Sequence, residues 1–96
     1  MNAEQKELFR KALLRVLDAN RTRFGLSVVA LSFQLGQFGF TPQNSGGVEA
    51  LKEAIQDELD YLAGKQLVEE AQKTISAENR AWRLSPTGFA FVDANP

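Results

Sequence analysis

The side chains of this chain that could do chemistry are carboxylates, lysines and arginines, and their spacing argues against catalysis. Asp57 with Glu58, and Glu69 with Glu70, come nearest to a paired-carboxylate acid–base set. Adjacent helix residues diverge by about 100°, and strand neighbours point to opposite faces, so neither pair converges on one substrate atom. The chain has no histidine and no cysteine. That removes imidazole catalysis, thiol nucleophiles, disulfides and Cys/His zinc sites together. No Gly-x-Ser-x-Gly, phosphate-loop or dinucleotide fingerprint occurs. A non-enzymatic protein without metal or cofactor is the expectation.

The charges are more informative along the chain than in total. Net charge is −1, yet residues 1–25 balance at +3, residues 48–70 at −5 and residues 71–96 at +1. Such segmentation suits a binding surface. No basic stretch and apolar leader open the chain, and no apolar run approaches a membrane span. A cytoplasmic protein with no membrane partner is therefore expected.

The elements that must position these groups follow from periodicity. Ninety-six residues with 44% hydrophobic content fit a single domain, 1–96, with a packed core. Asn2 and Gln5 have capping-box spacing ahead of Phe9, Leu13, Val16 and Leu17, which predicts helix 1 over about 3–19. Ser27 can cap VVALSFQLGQFGF, where Leu31 and Leu35 favour helix 2 over about 27–36, with a strand as the competitor. Glycine, Pro42, Asn44 and Ser45 make 36–47 a loop, read as either functional or simply mobile. Val48, Leu51, Ile55, Leu59 and Leu62 predict helix 3 over about 48–63, closed by Gly64. Two strand-like runs make a wing over about 67–85. There Trp82 and Leu84 share a face by period two, and Ser85-Pro86 open a last helix over about 86–93.

Two segments resemble winged-helix repressors of the MarR, ArsR and PadR kind. IQDELDYLAGKQLVEEA is similar to their junction between helix 3 and the wing, and WRLSPTGFAFV to their second wing strand running into a final helix. A likeness through FGLSVVALSFQLG extends to small winged-helix proteins of Mu-like prophages. The resemblance implies a mainly α fold with a small β-hairpin (α+β). Its form would be a winged helix-turn-helix with a three-helix core, a two-stranded wing and a short C-terminal helix. One position departs from it. Gln66 stands where those families place glycine, so either helix 3 ends two residues early or Gln66 takes a strained backbone conformation.

The function implied by the resemblance is DNA binding or transcription regulation. The candidate contacts are Lys52 and Gln56 on helix 3 and Lys73, Arg80 and Arg83 on the wing. Against it, the outward side of helix 3 carries Glu49, Glu53, Asp57 and Asp60 beside one lysine, and duplex DNA is itself densely negative. The alternative is a winged-helix protein-interaction domain that does not read DNA, phage-derived as the prophage likeness implies. A homodimer is expected by analogy with repressors that pair through helix 1 and the last helix. Candidate interface residues are Leu8, Leu14, Phe89 and Phe91, together with Phe38 and Phe40 of the aromatic-rich loop. Tyr61 is expected to straddle core and surface.

Overall fold

The structure is a computed structural model that describes residues 2–21, 24–72 and 80–95. The chain runs α1 (Ala3–Ala19), β1 (Leu26–Ser27), α2 (Val28–Leu35), a 3-10 turn (Gly36–Phe38), α3 (Val48–Gly64), β2 (Val68–Gln72), β3 (Ala81–Leu84) and α4 (Pro86–Ala94). It is mainly helical, with a small antiparallel sheet in the order β1-β3-β2. Among the described residues, no helix is long and apolar enough to cross a membrane.

Local chemistry starts each helix. The Asn2 side chain accepts from the Gln5 amide at 2.8 Å, while Gln5 Oε1 accepts from the Asn2 amide at 3.1 Å. This reciprocal pair satisfies amides that have no partner inside the first turn. Ser27 caps α2 by accepting from the Ala30 amide at 3.2 Å, so the helix reading of this valine-rich stretch prevails over the strand. Ser85 caps α4, with Pro86 in its first turn.

The core is one cluster. Phe9, Leu13 and Leu17 of α1 meet Leu31 and Leu35 of α2, and Leu51, Ile55, Leu59 and Leu62 of α3. Val68, Trp82 and Leu84 close it from the sheet. Burying each large apolar side chain contributes about 1.5–3 kcal/mol, so α1, with Phe9, Leu13, Leu14, Val16 and Leu17 buried, and α3, with four, are the main supports of the fold. Phe40 joins this cluster with its ring edge-on to Phe9, centroids 5.0 Å apart. It thus completes the core more than it lines a surface.

Several expectations are corrected. The sheet, expected to have two strands, has a third: Leu26 pairs with Trp82 and Ser27 with Ala81, a ladder too short to leave a sequence period. Val48 shares the α3 stripe yet is 54% exposed. It stands at the free end of the helix, behind Gly46 and Gly47, which have no side chains to cover it. Gly64 does not close α3. Gly64 is the last helical residue, the cap is Lys65, and the left-handed residue is Gln66, with φ 63°. The second of the two alternatives for that position therefore holds.

The long loop is organised around Asn44. Its Oδ1 accepts from the Thr41 amide at 3.0 Å, its Nδ2 donates to the Gly39 carbonyl at 2.6 Å, and the Gly47 amide donates to the Pro42 carbonyl at 2.7 Å. Such bonding holds the approach to α3 in one shape, which mobility alone would not require.

Candidate functional site

The side chains proposed to meet nucleic acid are engaged within the chain. Lys52 is half-buried, its Nζ 3.8 Å from Glu49 Oε1. Gln56 donates to Asp60 Oδ1 at 3.0 Å. The β2–β3 register sets Glu69 opposite Arg83, bringing Arg83 Nε to 3.6 Å from Glu69 Oε1. Arg80 Nη1 lies 3.6 Å from Glu70 Oε1. Lys73 falls outside the described residues, as does the rest of the expected wing over 73–79. The structure thus gathers Arg80 and Arg83 on one sheet, each beside an acidic neighbour, and places Lys52 and Gln56 on a different element.

The outward residues of α3 are Glu49, Glu53, Asp57 and Asp60, all exposed. Glu58 is not among them, and sequence reasoning missed its role. It is buried and accepts from Arg10 Nε across the α1–α3 contact. The Arg10 guanidinium also lies over the Tyr61 ring, 4.2 Å from its centroid, an arrangement favoured by the ring quadrupole. The hydrogen bond to Glu58 is the main cause that raises the Arg10 pKa, against the opposing effect of partial burial. The signal was present in the spacing, because Glu58 lies three residues after Ile55 and four before Leu62, on the inner face. Arg10 is thus engaged with α3, and the exposed surface of α1 mixes Lys6, Lys11 and Arg15 with Glu4 and Glu7.

The candidate interface residues divide. Leu14 is only 6% exposed, because α4 folds over this side of α1, so it has little surface left for a partner. Phe89 is half-buried, and the Arg21 guanidinium lies 4.4 Å from its ring centroid. Leu8, Phe38 and Phe91 are exposed. Between α1 and α4 runs a groove of about 500 Å³ whose lining mixes Glu7 with Arg10, Lys11 and Arg15 around Leu14, Phe91 and Val92.

The feature that sequence reasoning undervalued is the outer face of α2. Val28, Leu31 and Leu35 point inward, which leaves Val29 and Phe33, one turn apart, facing solvent. Phe33 is 79% exposed. The polar side chains of the helix are already occupied. Ser32 donates back to the Val29 carbonyl at 2.6 Å, and Gln34 Oε1 accepts from Asn20 Nδ2 at 2.7 Å. Residues 24–48 carry no charged side chain. The resulting helix is apolar on both sides, the pattern of an element covered on both. The hints in the sequence were that charge-free run and the surplus of Phe33, Phe38 and Phe40, which could either complete the core or form a contact patch. No family model matches this chain, and neither curated proteins nor solved structures give a significant match.

Proposed function

We propose that this chain is a winged-helix module that docks onto protein through α2 and the start of α3, and does not read duplex DNA. The order α1-β1-α2-α3-β2-β3, with β1 beside β3 in an antiparallel sheet, supports the winged-helix assignment. The observation that carries the docking reading is the solvent-facing pair Val29 and Phe33 on a helix whose inner face is also apolar.

The electrostatics support the same reading. In a helix-turn-helix the second helix of the motif enters the major groove, and here that helix is α3, whose outer surface is acidic. A reader of DNA gains affinity by releasing counterions from phosphates through free cations. Arg80, Arg83 and Lys52 each lie beside an acid instead.

The test is titration of a labelled mixed-sequence duplex with the full chain at low salt, followed by fluorescence anisotropy. Binding weaker than about 10⁻⁴ M is expected, below the ordinary non-specific range of DNA-binding proteins. Micromolar binding whose salt slope falls in the Arg80→Ala/Arg83→Ala double variant would overturn the reading. In parallel, Phe33→Asp should change stability by no more than about 0.5 kcal/mol, as befits a surface residue. A large loss would place Phe33 in the core and remove the docking face.

A further inference from the structure

We infer that Arg21 is an electrostatic clasp that joins the C-terminal ends of α1 and α4. When its charge is screened or removed, the second half of α4 leaves α1 while the rest of the fold stays closed.

Two carboxylates stand at unfavourable helix ends. Asp18 lies in the last turn of α1 and Asp93 in the last turn of α4, and neither turn holds a basic residue. The C-terminal end of a helix carries partial negative charge, which disfavours an acid there. Arg21 offsets both. Its Nε donates to Asp18 Oδ1 at 2.7 Å and its Nη2 to Asp93 Oδ1 at 3.2 Å. The same guanidinium lies over the ring of Phe89, one turn before Asp93 on α4. Without this cation, two carboxylates and two negative helix ends would stand against each other unscreened.

Packing makes α4 depend on that contact. Its nine residues are fewer than a helix needs to persist alone in water. Gly88 is its buried residue, Phe89 and Val92 are half-buried, and Phe91 is exposed. The two ends are held differently. The first turn is fastened from within, by the buried Ser85 that caps it. The last turn is tied to α1 by Arg21 through Asp93, whose side chain is 67% exposed, so salt reaches the bond. Release of the second half draws Phe91 and Val92 away from Leu14 and Arg15 and widens the α1–α4 groove.

The experiment is amide hydrogen exchange of the full chain, read residue by residue by NMR at low urea concentrations. In the wild type the amides of 92–95 should exchange through an opening that urea barely accelerates, whereas those of Leu59 and Leu62 should wait for global unfolding. Arg21→Ala should speed exchange at 92–95 about fivefold or more, in keeping with the loss of an exposed ion pair and a cation–π contact. Salt at about 1 M should speed it in the wild type but slow it in Arg21→Ala, where repulsion alone is left to screen. Arg21→Ala/Asp93→Asn should recover part of the protection. Ile55→Val, in the core that both states share, should speed Leu59 and Leu62 and leave 92–95 unchanged. Wild-type amides at 92–95 that are unprotected, that follow α3 in urea or that respond to Ile55→Val overturn the separate opening. Exchange unchanged by Arg21→Ala overturns the clasp, and so does a salt effect of the same sign in both proteins. A double variant protected no better than Arg21→Ala overturns the repulsion between the helix ends.

Discussion

The Ser85 hydroxyl donates to the main-chain carbonyl of Gln66 at 2.5 Å and accepts from the Gly88 amide at 3.0 Å. One buried oxygen thereby joins the exit of α3 to the entry of α4. The Ser85 amide adds a second tie, to the Leu67 carbonyl at 3.0 Å. The chain segments leaving α3 and entering α4 are thus bonded to one another.

Ser85→Ala should be strongly felt. It removes an N-cap, worth about 0.5–2 kcal/mol. It also deprives the Gln66 carbonyl of its donor, at about 1–3 kcal/mol where water cannot replace it. Gly88→Ala should be worse, since a Cβ there would lie 2.0 Å from the Leu67 carbonyl oxygen, a main-chain atom that cannot swing aside. Urea unfolding followed by the fluorescence of Trp82 measures both, and an unchanged midpoint for either would refute the hub.

Gln66→Gly should stabilise the chain. Gln66 holds φ 63° while exposed to solvent, a conformation that costs a side-chain-bearing residue about 1–2 kcal/mol. Glycine lifts that strain and adds some unfolded-state entropy, so a net gain below about 1 kcal/mol is expected. Thermal melting is the measurement, and a lowered melting temperature would contradict the expectation.

Ile55→Ala tests the face assignment of α3. Ile55 is wholly buried, so the transfer and cavity terms together should cost about 2–5 kcal/mol. Chemical denaturation reads this directly. A loss under about 1 kcal/mol would mean that the site collapses freely or that the face is misassigned.

Arg10→Ala should leave Glu58 buried and without its donor. A hydrogen bond to a charged group contributes about 1.5–3 kcal/mol, and the partial exposure of Arg10 places the expected loss at the low end through solvent screening. Arg10→Lys should recover only part of it, because an ammonium cannot lie flat over Tyr61. If Arg10→Lys unfolded together with the wild type, the stacking contribution would be negligible.

Much of the architecture was legible because it depends on neighbours in sequence. The Asn2–Gln5 box, the Ser27 and Ser85 caps and the stripe from Leu51 to Leu62 are local devices, so their spacing alone locates helices. Trp82 and Leu84 alternate for the same reason. The absence of histidine and cysteine, the acidity of α3 and the charge-free run over 24–48 are likewise properties of the chain.

What only the tertiary structure decided are relations between distant residues. Strand β1 exists because Leu26 and Ser27 come alongside Trp82 and Ala81, and two residues hold no period to read. Leu14 lost its place at an interface because it is buried, and Val48 came out of the core because it stands at the exposed start of α3. Arg80 and Arg83 ceased to be free cations once the strand register set Glu70 and Glu69 within reach. In each case the residue type is local, but its burial and its charge partner depend on which segments the fold brings together, and that is set by packing across the whole core.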